Sequence, residues 1–266
     1  MNIRLAQLGD VGALRSLAYS SFDAKYINKM IYGCFGMHRY LEMCLAQENA
    51  TSDAVIYVCE LDSKLCGFVH FKRDAFSGTL YLNYICVDYA FRGKNIASQL
   101  LLYALLQESS GFEKVVLDVF STNTVALMWY EKLGFCEVKK RYWLVHDIED
   151  TGSGYGYFSG FAHANLSQSV FGFSQFGLET KLGIYKIGML GDLYYRVFDS
   201  AIVFDKAALS SLAKLDPSRR LLLIVDRPDC NSGEECFDTS FNMSACLPLV
   251  LEKLKTASVR AASCSR

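Results

Sequence analysis

LYLNYICVDYAFRGKNIASQLLLYALLQ, residues 80–107, is the stretch that decides the fold. Its first part is rich in aromatic and β-branched residues, which predicts a strand, and its last part has apolar residues at three- and four-residue spacings, which predicts a helix. Between them lie Arg92, Gly93, Lys94 and Asn95. A turn that leads into a helix N-terminus directs several unpaired backbone N–H groups to one place, where the helix dipole adds positive charge. The stretch therefore predicts an anion site, most simply for a phosphate.

A second stretch with the same order of elements is LDVFSTNTVALMWYEKLGF, residues 117–135. The strand pattern ends at Phe120, and a helix is predicted from Asn123 to Leu133. Gly134 follows as the residue that ends this helix.

Arg92 and Ala97, in the spacing Arg92-x-x-Asn95-x-Ala97 and preceded by Val87-Asp88, resemble the acetyl-coenzyme A signature of the GNAT N-acetyltransferase superfamily. That signature has Gln or Arg, two residues, Gly, one residue, and then Gly or Ala. Asn95 stands where the family usually has glycine. Because Asn is among the few other residues that tolerate a positive φ, we expect the turn to be kept, with slight crowding of the pyrophosphate.

The resemblance also implies roles for the second stretch. In the family, an Asn approaches the pantetheine arm, an Ala permits close helix packing, and a Tyr hydroxyl lies beside the thioester sulfur; Asn123, Ala126 and Tyr130 match these positions. Tyr130 is therefore the expected catalytic residue, as a proton donor. The expected cofactor-binding residues are Cys86 and Val87 through their backbone, together with Arg92, Gly93, Lys94, Asn95, Ile96, Ala97, Asn123 and Ala126.

The resemblance covers residues 1–148 and implies the α+β GNAT fold, in which helices flank a central mixed, mostly antiparallel sheet. The periodicity of this region predicts strands at 3–5, 54–61, 65–72 and 137–147, and helices at 11–22 and 37–47. In the family, the region from 22 to 47 forms one wall of the acceptor groove. A core-facing pair of helices is the alternative interpretation.

Residues 149–156 are rich in glycine and have the composition of a flexible linker. Residues 157–266 are predicted to form a smaller accessory α+β domain. We predict helices at 157–169, 205–215 and 247–255, and strands at 175–180, 183–190, 192–198 and 220–225. This order is also that of half a degenerate GNAT-like unit, but it offers no phosphate-binding turn. The accessory domain either lines the acceptor groove or covers an apolar face of the first domain.

Composition restricts the partners. Of the 266 residues, 52% are hydrophobic and 21% charged, and the formal net charge is −1. A chain so close to neutral has no general attraction for nucleic acid or for an anionic membrane, so neither is an expected partner. The sequence has no apolar run of about 18 residues and no signal-peptide core, which predicts a soluble, cytoplasmic protein. The expected partner is an amine acceptor, and a homodimer is left open.

The ten cysteines raise the question of disulfides or a metal. No two of them have the two-residue separation typical of metal sites, and several lie in apolar strand patterns, where a free thiol behaves as a small hydrophobe. We therefore expect structural thiols and no metal. Cys86 is not expected to carry the acyl group, because transfer in the resembling family is direct.

Acetyl transfer needs a deprotonated amine, a polarised thioester carbonyl and a proton for the leaving thiolate. The sequence does not identify the base. Tyr81 occupies the position where some family members have a glutamate, and Asn83 could hold a water. Asp118 and His70 lie in strand patterns, where such side chains are more often structural.

Three functions follow. The first is an acetyl-CoA-dependent N-acetyltransferase that moves an acetyl group directly to a primary amine of a small molecule or a protein, as Tyr130 and Asn123 favour. The second is a non-catalytic acyl-CoA sensor or scaffold, favoured by Asn95 and by the missing glutamate. The third is a protein-interaction module built on the second domain, which would have no affinity for the cofactor.

Overall fold

The computed structural model describes residues 1–46, 52–227 and 235–263, and within them twelve strands and eight α-helices. The strands are β1 (Asn2–Leu5), β2 (Ala54–Leu61), β3 (Lys64–Asp74), β4 (Thr79–Val87), β5 (Lys114–Phe120), β6 (Cys136–His146), β7 (Tyr157–Ser159), β8 (Phe173–Glu179), β9 (Ile184–Leu190), β10 (Tyr194–Val197), β11 (Arg220–Val225) and β12 (Glu235–Cys246). The helices are α1 (Val11–Ser21), α2 (Ala24–Ile27), α3 (Met37–Ala46), α4 (Ile96–Glu108), α5 (Thr124–Lys132), α6 (Phe161–Phe171), α7 (Lys206–Leu215) and α8 (Leu247–Ser263). Among the described helices, none combines the length and the apolar character needed to span a bilayer.

The strand-turn-helix order predicted for both motifs is confirmed, since β4 leads to α4 and β5 leads to α5. The prediction that a helix begins at Tyr157 is wrong, since α6 begins at Phe161. Gly160 adopts a left-handed φ of 69° there and separates the short strand β7 from α6. The helix predicted at 37–47 is α3, and its predicted last residue, Gln47, lies outside the described residues.

Strand β12 was not predicted, although its sequence carries a signal. Phe237, Phe241, Met243 and Ala245 alternate with polar residues, and this period of two is typical of a half-buried strand. The helix predicted after it begins at Leu247 as expected, but it extends to Ser263.

The chain forms two compact units, and each draws on both halves of the sequence. Unit 1 contains residues 1–23, 41–139 and 241–266, and unit 2 contains residues 24–40 and 140–240. The division into a domain at 1–148, a linker at 149–156 and an accessory domain at 157–266 remains a prediction.

Unit 1 has a mixed sheet in which β1, β2, β3, β4 and β5 lie side by side, followed by the 241–246 part of β12. The pairs from β1 to β4 are antiparallel, whereas β4 and β5 are parallel. Helix α4 packs on β2, β3 and β4 with one side and on α8 with another, which explains why its sequence is apolar around most of its circumference. The predicted α+β fold with a mixed, mostly antiparallel sheet is confirmed.

The end of the chain supplies a substantial part of the unit 1 core. Met243, Ala245, Leu247, Val250 and Leu254 are all buried in the same cluster as α4 and β5. Burying one such aliphatic side chain stabilises a fold by about 1.5–3 kcal/mol. The unit that contains both motifs therefore depends on residues more than a hundred positions further along the chain.

Unit 2 repeats much of the order of strands and helices found in unit 1. Its elements β7, α6, β8, β9, β10, α7 and β11 follow one another as a strand, a helix, three antiparallel strands, a helix and a strand. The last strand, β11, is parallel to β10, as β5 is to β4. On its other side, β11 pairs with residues 142–146 of β6. Unit 2 therefore contains a second sheet with much the same order of elements as unit 1, completed by residues 142–146 of β6.

The burial of α8 generates a stability prediction. Leu254→Ala should lower the free energy of unfolding by about 2–5 kcal/mol, because it removes a fully buried side chain from a core that also contains α4. Lys253→Ala, at an exposed position of the same helix, should change it by less than about 0.5 kcal/mol. Urea titration followed by circular dichroism measures both. Equal effects of the two substitutions would contradict the role given to α8.

Candidate functional site

The parallel pairing of β4 with β5 stops before either strand ends. Leu82 and Leu117 form the last pair, yet β4 continues through residues 83–87 and β5 through residues 118–120. No pairing joins these two continuations among the described residues. Two strands that separate in this way leave an opening between them, and an extended ligand can bind in such an opening.

A β-bulge marks the same point on the other side of β4. His70 of β3 pairs with Tyr84, whereas the next residue, Phe71, pairs with Leu82, so Asn83 is the extra residue. A bulge bends its strand and increases the local twist. The bulge at Asn83 therefore lies next to Leu82, the last residue of β4 that pairs with β5.

The turn between β4 and α4 has the backbone that the sequence predicts. Asn95 precedes α4 with φ 58°, and Gly93 has φ 77°. The first helical hydrogen bond is donated by the backbone N–H of Gln99 to the carbonyl of Asn95. The N–H groups of the first helical residues, 96–98, precede this bond and have no partner within the helix. Asn95 thus keeps the left-handed turn that glycine usually provides.

Two hydrogen bonds fix this turn to the sheet, and a third lies within the turn. Arg92 Nε donates to the carbonyl of Val87 at 3.1 Å, and the N–H of Asp88 donates to the carbonyl of Cys66 at 2.9 Å. The Asp88 carboxylate accepts from the N–H of Ala90 at 3.0 Å. The turn is therefore held in place without a ligand, with Arg92, Gly93 and Lys94 exposed.

Gly67 was not singled out from the sequence, although it shapes this turn. A Cβ atom at this position of β3 would lie 3.0 Å from the carbonyl oxygen of Cys86 and 3.5 Å from Ile96 Cγ2. Glycine inside a strand often marks such a close approach, and this was the available signal. The missing side chain lets β3 lie against both the end of β4 and the start of α4.

The other end of α4 is anchored by a buried charged network. Arg73 donates to both carboxylate oxygens of Glu108 at 2.7 Å, and the Tyr57 hydroxyl donates to the same carboxylate at 2.8 Å. Bidentate pairs of this kind fix geometry as well as charge. Helix α4 is thus held by its C-terminal turn and by its packing.

Helix α5 lines up the three residues of the second motif. Asn123 caps the helix, since its Oδ1 accepts from the N–H of Ala126 at 3.3 Å, and Tyr130 follows one turn after Ala126. Tyr130 is only 7% exposed, and its ring packs edge-on against Phe135. Burial, with a smaller contribution from Cys86, raises the pKa of the Tyr130 hydroxyl well above its usual value. Tyr130 is therefore protonated at neutral pH, as a proton donor must be.

Cys86, on the separated part of β4, is buried. Desolvation raises the pKa of its thiol to about 12, against smaller opposing effects of Ser21 and Arg92. A thiol that stays neutral is a poor nucleophile, which agrees with the structural role predicted for it. The cysteines within the described residues are free thiols; Cys230 and Cys264 lie outside those residues. In the described part of the chain, no cluster of three or more metal-ligating side chains is found.

The four residues considered as a base have different surroundings. Tyr81 is 38% exposed on β4, and Asn83, the extra residue of the bulge, is also exposed. Asp118 accepts from Asn242 Nδ2 at 3.1 Å, a bond between β5 and β12. His70 is buried beside the ring of Tyr84, and desolvation lowers its pKa to about 4. His70 is therefore neutral at physiological pH, but its burial keeps it from direct contact with a ligand.

Comparison with known proteins supports the predicted resemblance. Residues 24–135 match the sequence model of the acetyltransferase (GNAT) family. The resemblance that the sequence predicted is confirmed over these residues. N-alpha-acetyltransferase 30 of Schizosaccharomyces pombe is 32% identical over 85 residues, which cover 30% of this chain and 57% of that protein. The chain thus matches little more than half the length of this relative.

Two solved structures match nearly the whole chain. A tandem GNAT protein from the clavulanic acid biosynthesis pathway, solved without AcCoA, has a TM-score of 0.61 at 11% identity, covering 92% of this chain and 98% of its own. A putative acetyltransferase from Thermoplasma acidophilum has a TM-score of 0.54 at 14% identity, covering 92% of this chain and 100% of its own. At these identities the likeness concerns the fold, which in the first case consists of two GNAT units.

The buried His70 generates a pH prediction. Its folded pKa, about 4, lies below the usual value of 6.5, so the unfolded chain binds the proton more tightly. This contribution to stability is fully present above pH 6.5 and is lost as the pH falls toward 4. Between these limits, the wild type should lose about 3 kcal/mol more than His70→Gln, as measured by urea unfolding at each pH. Parallel pH profiles would contradict the neutral, buried histidine.

Proposed function

We propose that this chain is an acetyl-CoA-dependent N-acetyltransferase that moves the acetyl group directly to a primary amine of a small molecule or a protein. The observation that carries the proposal is the separation of β4 from β5 after Leu82 and Leu117, next to the left-handed turn at Asn95. Both features lie in the region that matches the GNAT family. An extended thioester fits an opening lined by backbone groups, and its phosphates fit a helix N-terminus.

In this proposal, the turn binds the phosphates. The N–H groups of Ile96 and Ala97 point to the anion, Gly93 keeps the backbone accessible, and Arg92 and Lys94 supply charge. Asn95 fits this position because it adopts the positive φ that the turn requires. The pantetheine arm then follows the opening, with Asn123 and Ala126 of α5 on one side.

The thioester would lie beside the separated end of β4. There the backbone of Cys86 and Val87 polarises its carbonyl oxygen. The amine nitrogen attacks the carbonyl carbon, the bond from carbon to sulfur breaks, and the amine gives its proton to water. Tyr130, which its burial keeps protonated, supplies a proton to the departing thiolate and regains one from water.

The second candidate is a non-catalytic acyl-CoA sensor or scaffold. It is favoured by Tyr81, which stands at the position where some family members have a glutamate and is not a carboxylate. The two candidates differ in turnover and not in binding. Release of thiol from acetyl-CoA in the presence of an amine panel, with peptide α-amines included because of the named relative, separates them.

Unit 2 is proposed to bind no cofactor of its own. The segment between β10 and α7 contains the 3₁₀ turn Ser200–Phe204, and Asp205 caps α7 through its side chain. The N-terminus of α7 is thus already satisfied by a carboxylate, which disfavours a phosphate there. We infer one cofactor per chain, an accessory role for unit 2, and action in the cytoplasm, where the free thiols would persist.

Binding is tested first. CoA at millimolar concentration should raise the melting temperature, because a ligand that binds only the folded state stabilises it. Calorimetry should give one site per chain. Arg92→Glu should abolish both signals, whereas Lys114→Glu, the same charge change at the opposite end of β5, should leave them unchanged. An unshifted melting temperature for the wild type would refute the cofactor assignment.

Catalysis is tested next. Tyr130→Phe should lower kcat by about 100-fold or more while leaving the KM for acetyl-CoA within about a factor of three, because it removes the proton donor and keeps the ring. Thiol release measures both constants. Tyr81→Phe is the matched control and should retain most of the turnover. Unchanged kcat in Tyr130→Phe would show that water or substrate protonates the thiolate.

A further inference from the structure

The hairpin between β2 and β3 brings a lysine outside both motifs to the phosphate-binding turn. Asp62 and Ser63 form a tight turn with φ values of 51° and 61°, and Lys64 follows as the first residue of β3. Lys64 Nζ lies 3.5 Å from Asp88 Oδ2 and 5.5 Å from the ring centroid of Phe91. A position far from the turn in sequence thus contributes a charge to it.

Asp88 is the one acidic residue in the stretch from 88 to 97. Its hydrogen bond with the N–H of Ala90, followed by the charges of Lys64 and Arg92, lowers the pKa of its carboxyl. Asp88 is therefore ionised at neutral pH. A carboxylate at the entrance of an anion site opposes the binding of phosphates, unless a cation offsets it.

The positive charges of the turn are arranged around two aromatic rings. Lys94 Nζ lies 5.1 Å from the centroid of the same Phe91 ring that Lys64 approaches. The Arg92 guanidinium lies 5.6 Å from the centroid of Tyr89. Cation–π contacts of this kind hold the charged groups near the turn while leaving them accessible to solvent.

We propose that Lys64 is a positioning residue for cofactor binding, which neutralises Asp88 so that the turn presents a net positive field to the phosphates. The inference rests on the proposed function and extends it beyond the signature residues. The Lys64 side chain is 65% exposed, and exposed ion pairs contribute little to folding. Its effect is therefore expected in ligand affinity and salt dependence, and not in stability.

The experiment measures the dissociation constant of CoA by calorimetry for the full chain at low and high salt. At low salt, Lys64→Met should weaken binding by about three- to tenfold, and Lys64→Arg should restore it. At about 0.5 M salt the difference should largely disappear, because screening removes electrostatic contributions. Lys72→Met, at an exposed position near the other end of β3, is the control and should not alter affinity.

A double-mutant cycle tests whether Lys64 acts on cofactor affinity through Asp88. In the Asp88→Asn background, whose amide can still accept from the Ala90 N–H, Lys64→Met should have little effect, because there is no charge left to neutralise. An equal loss in both backgrounds would overturn the proposal, since Lys64 would then contact the phosphates itself. Wild-type affinity in Lys64→Met would also overturn it. A wild type that binds no CoA would instead refute the proposed function.

Discussion

The hydrogen-bond ladder between β4 and β5, which ends at Leu82 and Leu117, is the constraint on which the site depends. Had the pairing continued, β5 would lie against residues 83–87, and α4 and α5 would flank a closed sheet. Because it stops there, an opening separates the end of β4 from β5 beside a helix N-terminus. The bulge at Asn83 and the missing side chain of Gly67 are the local features that accompany this opening.

The opening needs rigid surroundings, and these come from distant parts of the sequence. Helix α4 is held by the Arg73–Glu108 pair at its C-terminal end and by α8 along its side. Asn242 of β12 donates to Asp118 next to the point where the ladder ends. The closing segment of the chain is thus part of the unit that holds the site, and its removal would expose the core around α4.

Local motifs predicted the site's backbone well, because strand-turn-helix patterns and a left-handed Asn are encoded within a few residues. The individual strands and helices of residues 1–148 and the helix capped by Asp205 followed from periodicity in the same way, whereas the arrangement of the sheet was implied by the family resemblance. That residues 140–146 belong to unit 2 and residues 241–246 to unit 1 could not be predicted, because it depends on which sheet a strand joins and not on its own pattern. Lys64 and Gly67 were missed for a similar reason, since their neighbours at the turn are distant in sequence.

The most direct test of the account is amide hydrogen exchange of the full chain with and without CoA. The account predicts slower exchange in residues 83–87 and 95–98, because the cofactor would occupy the backbone groups of the opening and of the turn. Residues 197–206 of unit 2 should exchange at the same rate in both conditions. Protection confined to unit 2, or none at the end of β4, would contradict the central claim.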